Sequence, residues 1–305
     1  MNYLKSTAVV LASFATSLAA FAAAPVDFTV TSPIDGRAFR LSEAKGRYVA
    51  IHFLLKTECP FCLRHTAEYS MKAPTVAGVT HVFLKPDSDD EIKSWAGKVK
   101  TPQQPTIYRD VDARLATEFN IPDGYQFHGQ TVHYPALVLL DPTGKEVFRY
   151  VGKNNTDRYP WEKFVAKISE LAASPATKEF NLPADKVAIS GYDPVPYLAE
   201  NKALKGSPEI ISMYRGITYR FATEKNREVF AGNPEKYLPT YGGWCATAMA
   251  KGKKVEIDPA NFKVTDGRLF LFYKSFLTNA RNDWEKDEPV QTKKADANWK
   301  RITGE

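Results

Sequence analysis

The sequence predicts two domains, an α/β domain followed by a smaller α+β domain. Three observations carry this. A length of 305 residues exceeds one ordinary core and suits two. Apolar β-rich runs alternate with amphipathic segments between Tyr48 and Leu171. That alternation stops at SPATKEFNLPADK, with Pro175 and Pro183, and shorter strand candidates take over beyond it.

Taken in order, Lys5 followed by the apolar run Ala8 to Phe21 and the small residues of Ala20-Phe21-Ala22 predicts an export signal over residues 1–22. The alternative is a membrane anchor, but the uncharged stretch Ser6 to Val26 is rich in Ala and Ser and weakly hydrophobic for a span. No later run is long enough to cross a bilayer, so the mature chain is expected in the periplasm or secreted, with no membrane span. The α/β domain is expected over residues 25–172. YVAIHFLL (Tyr48 to Leu55) predicts a buried strand leading into a cysteine pair, and Leu63 to Met71 a helix. Val79 to Leu84 reads as a strand, Asp89 to Lys98 and Asp112 to Phe119 as helices. Ala136 to Leu140 and Glu146 to Val151 read as strands joined by the turn Asp141-Pro142-Thr143-Gly144, and Trp161 to Leu171 as a helix. Residues 173–186 are expected to be a linker and 187–305 the second domain, with strands at Glu209 to Tyr214, Thr218 to Phe221 and Arg268 to Tyr273.

Hydrophobic residues at 44 % and charged residues at 25 % are those of a folded chain, and the net charge of +6 is spread among alternating acids and bases. A nucleic-acid binder concentrates its bases on one face, so that class is excluded as the leading reading.

Chemistry concentrates in the cysteines. Only Cys59, Cys62 and Cys245 are present, too few for a disulfide scaffold. Cys59-Pro60-Phe61-Cys62 has the spacing at which one thiolate attacks a partner disulfide and the other resolves the mixed intermediate. Strand, dithiol, helix is also the order that lowers a thiol pKa at a helix amino terminus. Cys59 is the expected nucleophile and Cys62 the resolving thiol. A static disulfide or half of a zinc site are the alternatives, and a zinc site needs a second ligand pair. All five histidines lie in the first domain. His65, three residues after Cys62, and His133 are the ones placed to approach the sulfurs, against a plain packing role.

YVAIHFLLKTECPFC and HYPALVLLDPTGKEVFRYVG resemble the thioredoxin-like redoxin superfamily that includes AhpC/TSA and TlpA-type proteins, over Val26 to Ala172. The resemblance implies a thioredoxin-like fold, protein thiols or disulfides as partners, no cofactor for thiol exchange, and a cis-proline beside the dithiol at Pro135. It also marks departures. Lys56 stands where peroxiredoxins carry threonine, no arginine accompanies Pro135, and Glu58 replaces the thioredoxin tryptophan, which disfavours the Cys59 thiolate and peroxidase action.

AISGYDPVPYL, NPEKYLP (Asn233 to Pro239) and YGGWCA (Tyr241 to Ala246) resemble a YHS domain, a family associated with metal handling. Ala222 and Asn226 stand where many members carry cysteine ligands. Cys245 and Met249, four apart on an expected helix, are then the remaining soft donors, suited to Cu(I). Cys245 as a buried small hydrophobe is the alternative. The sequence thus leads to an exported thiol–disulfide oxidoreductase coupled to a YHS module that binds or senses copper and meets copper-handling proteins. A non-enzymatic copper-binding or copper-delivery protein with a structural or ligating CxxC is the rival, and a thiol peroxidase the third reading.

Overall fold

The computed structural model describes residues 27–56, 59–127 and 130–304, without the side chains of residues 125, 127, 130 and 131. Residues 1–22, where an export signal is expected, and Glu58 lie outside the described residues.

A short hairpin, β1 (Thr29–Thr31) with β2 (Ala38–Arg40), opens the chain. β3 (Tyr48–Phe53) has five of its six residues buried, because both of its faces are covered. It leads to α1 (Pro60–Lys72), then β4 (Val79–Lys85), α2 (Asp89–Ala96) and β5 (Ile107–Arg109). α2 starts where predicted because Ser88 and Glu91 close a capping box. The helix expected over Asp112 to Phe119 is split. Asp112 and Ala113 both take φ of +54°, and only α3 (Arg114–Glu118) is α-helical, its amino terminus capped by Asp110 bonds to Leu115 N and Ala116 N.

A second hairpin, β6 (Asp123–Phe127) with β7 (Gln130–His133), precedes β8 (Ala136–Leu140), β9 (Glu146–Val151) and α4 (Trp161–Ala172). The main sheet has order β5-β4-β3-β8-β9, parallel from β5 to β3 and antiparallel across β3, β8 and β9. One face packs on α1, α2 and α4. Trp161, Phe164 and Ile168 of α4 are buried there, and each removed from water contributes about 1.5–3 kcal/mol. The other face packs on the first hairpin and α3 through Phe28, Leu115 and Phe119.

The segment expected to be a linker is not open chain. It carries α5 (Pro175–Lys178), with Ser174 and Thr177 forming its cap, and is tied to the second domain by bonds from Trp244 Nε1 to Glu179 O and from Asn181 N to Gly242 O. Beyond it come α6 (Pro194–Glu200), the hairpin β10 (Ser207–Tyr214) with β11 (Ile217–Phe221), α7 (Glu224–Gly232) and α8 (Ala246–Met249). The hairpin β12 (Asp258–Thr265) with β13 (Arg268–Phe272), α9 (Ala280–Glu285) and α10 (Glu288–Thr303) complete an α+β unit. The sequence reading missed β12, whose Asp-Pro start and Lys263 do not look like a strand. The domains touch directly. Ala77 N donates to Met213 O, and Arg47 Nη1 donates to Ala231 O at 2.9 Å. No described helix is long and apolar enough to cross a membrane.

Asp193 organises the second domain. Fully buried, its carboxylate accepts from Val195 N at 2.9 Å, Ala222 N at 2.7 Å and Asn226 Nδ2 at 2.7 Å. Ala222 and Asn226, the positions noted for lacking cysteine, therefore serve a hydrogen-bonded carboxylate. Replacing Asp193 by alanine strands three donors, one buried and two part-buried, and is expected to cost about 3–5 kcal/mol in urea unfolding of the full chain. A loss under about 1 kcal/mol would remove this hub from the account.

Candidate active site

Cys59 and Cys62 sit where β3 hands over to α1, at the end of the sheet from which the helix dipole points outward. Cys59 is the N-cap of the 13-residue α1, with Pro60 at the first helical position, where its missing N–H costs nothing. The Cys59 sulfur takes the place of a capping oxygen, accepting from Cys62 N at 3.2 Å. Cys62 Sγ, one turn inside, accepts from Leu55 N at 3.4 Å. Both residues are free thiols in this structure, Cys59 6 % exposed and Cys62 fully buried.

The two sulfurs are electrostatically unequal. The Cys62 thiol hydrogen-bonds the Cys59 sulfur, and with the Cys62 and Phe61 N–H groups and the Arg158 cation it outweighs burial. Cys59 is thereby lowered to about 6. Burial raises Cys62 well above the ordinary thiol value, and its bond to Cys59 raises it further. Cys59 is thus the thiolate at neutral pH and Cys62 the protonated thiol. The expected weakening by Glu58 falls on a residue outside the described ones.

Arg158 is the residue sequence reasoning missed. Its Nη1 is held by Asn155 O at 3.2 Å and Asp157 O at 2.8 Å, and its Nη2 lies 3.3 Å from Cys59 Sγ and 2.9 Å from Cys62 Sγ. It comes from the loop between β9 and α4, 99 residues from Cys59, and no local motif announces it. An arginine therefore does stand at the sulfurs, from a different element than the one expected to lack it. Replacing Arg158 by methionine keeps the bulk and removes the charge. Alkylation of Cys59 at pH 7 is expected to slow about 3–10-fold as its pKa moves toward the ordinary range. An unchanged rate would mean the guanidinium does not act on the thiolate.

Pro135, the residue before β8, lines a small cavity with His65 and Arg158. The cis bond expected there is corrected. Among the described residues there is no cis peptide, and Tyr134–Pro135 is trans. Tyr134 N donates to Pro122 O and Gly152 N donates to Pro135 O, both 2.8–2.9 Å, so the flanking backbone is held in the isomer an X–Pro bond prefers by about 0.5–1 kcal/mol.

The histidines divide differently from expectation. His133 is buried with Nδ1 against Tyr134 O at 2.9 Å and packs edge-on to Phe53, a packing role. His65 is the one at the cavity. Its Nε2 lies 2.9 Å from His52 Nδ1, and His52 Nε2 lies 3.0 Å from His81 Nδ1, a chain of three imidazoles linking α1, β3 and β4. Burial lowers all three, His65 and His81 to about 3.

Cys245 and Met249 lie elsewhere, in the second domain. Cys245 occupies the N-cap position of α8 without a side-chain capping bond and its N–H donates to Val255 O, while Met249 is enclosed with Tyr241, Phe270, Phe272 and Trp284. Their exposures are 1 % and 0 %. Met213 lies at the domain junction, its Sδ 3.0 Å from Ser169 Oγ. Among the described residues no group of three or more His, Cys, Asp or Glu side chains is disposed to hold a metal. Cys245 and Met249 are both buried, Met249 among aromatic rings, and among the described residues Cys245 belongs to no group of three or more His, Cys, Asp or Glu that could hold a metal.

Residues 22–147 match the model of the AhpC/TSA family. The search of curated proteins finds no match. Among solved structures, the chain is similar to the pneumococcal exposed lipoprotein thioredoxin of Streptococcus pneumoniae, with 18 % identity over 48 % of this chain and 99 % of that one, TM-score 0.39. It is similar to a peroxiredoxin-like protein of Aquifex aeolicus, with 18 % identity over 48 % and 84 %, TM-score 0.42. It is also similar to a putative thiol:disulfide interchange protein DsbE of Chlorobium tepidum, with 19 % identity over 49 % and 93 %, TM-score 0.35.

Proposed function

From a first domain that is a thioredoxin-like redoxin domain of the AhpC/TSA type, we propose that the protein is an exported thiol–disulfide oxidoreductase fused to a YHS-type module. The observation that carries the reading is the inequality of the two sulfurs, Cys59 lowered to about 6 and Cys62 raised, with the Arg158 guanidinium on both. Such a pair needs no cofactor. The Cys59 thiolate attacks a disulfide sulfur of the partner, forming a mixed disulfide and releasing the first partner thiolate. Cys62 then loses its proton and attacks Cys59 Sγ, releasing the second partner thiolate and leaving the Cys59–Cys62 disulfide. Two electrons pass to the partner, which is reduced as the dithiol is oxidised. The reverse sequence oxidises a dithiol partner. Arg158 holds negative charge on whichever sulfur carries it. The second domain is docked on the first through Met213 O and Ala231 O, and no step is routed through a metal.

Insulin reduction driven by dithiothreitol tests this. Catalysed precipitation that vanishes in the Cys59→Ser variant is the expected result, and equal rates with and without the protein would defeat the reading.

A second reading has one observation in its favour. An arginine at the sulfur of a low-pKa cysteine also suits a thiol peroxidase, in which the Cys59 thiolate attacks a peroxide oxygen, becomes a sulfenic acid and is closed to a disulfide by Cys62 with loss of water. Trapping with dimedone after one equivalent of hydrogen peroxide distinguishes the two. In the Cys62→Ser protein the peroxidase forms the adduct within the dead time, and the oxidoreductase does so no faster than a free thiol of the same pKa.

A further inference from the structure

In the oxidoreductase reading, on which this inference rests, the poise of the pair depends on how firmly the Arg158 guanidinium is kept at the sulfurs. A cation there stabilises the thiolate and so the reduced form. We propose that Tyr150, acting through Asp157, and Tyr69, acting through the Tyr159 carbonyl, are positioning residues that hold Arg158 on the dithiol and so set how readily the dithiol is oxidised.

Arg158 stands in residues 152–160, a stretch with no helix or strand of its own. An arginine side chain gives up much rotamer freedom when it is ordered, so something must fix the backbone that carries it. The residues on either side of Arg158 are each tied by a tyrosine hydroxyl from a regular element. Tyr150, near the end of β9, donates to the Asp157 carboxylate, 2.8 Å from Oδ1 and 2.9 Å from Oδ2. Tyr69 of α1, fully buried, donates to Tyr159 O at 2.9 Å. The Tyr159 ring in turn packs 5.0 Å from the Tyr150 ring and 4.9 Å from the Phe148 ring, centroid to centroid.

The loop is also closed from within. The Asp157 carboxylate accepts from Lys153 N at 3.0 Å, and Asn154 Oδ1 accepts from Thr156 N at 2.9 Å, Thr156 Oγ1 at 2.8 Å and Asp157 N at 3.1 Å. The Asn155 and Asp157 carbonyls then take Arg158 Nη1, while Nη2 reaches both sulfurs. Gly152 permits this close return. A Cβ there would lie 2.7 Å from Asp157 O and 2.9 Å from Pro135 Cγ, displacing the carbonyl that holds the guanidinium.

The electrostatics keep the clamp intact while Cys59 titrates. Burial works against an ionised Asp157, but the Lys153 N–H, the Tyr150 hydroxyl and the Lys153 and Arg158 cations outweigh it and hold the carboxyl below its ordinary value. Burial and the neighbouring carboxylate raise the Tyr150 phenol, so it remains a donor. The other titratable groups around Arg158 are Cys59, Cys62 and His65 of α1, and burial, with the Arg158 cation, keeps His65 neutral down to about 3.

Phenylalanine at either position removes one hydroxyl and keeps the ring. The rate of iodoacetamide reaction at Cys59, followed against pH in the reduced full-length protein, reads the thiolate directly. Tyr150→Phe is expected to raise the midpoint by at least half of the rise that Arg158→Met gives, slowing alkylation at pH 6 about 2–3-fold, and Tyr69→Phe should move it the same way. Equilibration with glutathione should favour the disulfide of each variant about 2–5-fold over wild type. In the Arg158→Met background, adding Tyr150→Phe should leave both the midpoint and the equilibrium where they were, whereas a hydroxyl that only stabilised the fold would act alike in both backgrounds. Midpoints unmoved in both tyrosine variants, or an equal shift with and without Arg158, would overturn the proposal. An Arg158→Met protein with the wild-type midpoint would remove the guanidinium from the account and this proposal with it. A wild-type dithiol that does not exchange with glutathione would overturn the oxidoreductase reading instead, and the alkylation midpoints would still decide whether the tyrosines act through Arg158.

Discussion

Replacing Cys59 by serine is expected to abolish disulfide exchange, with a loss of about 10³-fold or more, because Cys59 is lowered to about 6 and is the least buried of the described thiols. Cys62 is buried and protonated, and Cys245 is shut in the second domain. Replacing Cys62 by serine should have a different outcome. The Cys59 thiolate still attacks, but the mixed disulfide has no resolving thiol 3 residues on and accumulates as a covalent adduct, visible as one partner equivalent by mass spectrometry. Loss of activity in Cys59→Ser without adduct accumulation in Cys62→Ser would show that the second cysteine is structural. The reverse result, adduct formation through Cys62, would contradict the ordering of the two pKa values.

The second large effect is on stability. His65 and His81 are held at about 3 by burial, against about 6.5 in an unfolded chain, so between these values the unfolded state binds the extra protons. Their contribution is complete above pH 6.5 and is lost progressively as pH falls toward 3. At pH 5 each removes about 2 kcal/mol, about 4 kcal/mol together, and His52 acts in the same direction. Asp110 is raised by burial and works oppositely, but only near the acid end of this window. Urea unfolding of the oxidised protein, in which neither thiol of the pair titrates, should show this fall between pH 7.5 and 5. His81→Phe should flatten the slope by about 2 kcal/mol over the same range. A stability independent of pH across that interval would mean the imidazoles are not held neutral by the core.

The first domain was legible in the sequence because its signals are local. The apolar run of β3, the CxxC behind it, the Asp141 turn and the amphipathic α4 each announce themselves within a dozen residues, and the strands at 136–140 and 146–151 match to the residue. What escaped depends on contacts between distant segments. Arg158 reaches the sulfurs only because β9 lies at the edge of the sheet and its following loop folds back over α1. The histidine chain requires β3 and β4 to be in parallel register, pairing His52 with Phe83 and Ala50 with His81. Spacing alone therefore did not choose between His65 and His133, and the residue at the cavity is His65. The second domain hid its β12 for a related reason. Its two hairpins are half exposed and give no long apolar run, and its core is built from aromatic residues scattered between Tyr197 and Trp284.

The central claim is that the two thiols are unequal, with Cys59 ionised near neutrality. Ultraviolet thiolate absorbance of the reduced protein, followed from pH 4 to 9 in the wild type and in Cys59→Ser, tests it directly. One thiolate appearing with a midpoint near 6 in the wild type, and missing in Cys59→Ser, is the predicted result. A first thiolate appearing only at the ordinary thiol pKa, about 8.5, or one that survives the loss of Cys59, would contradict it.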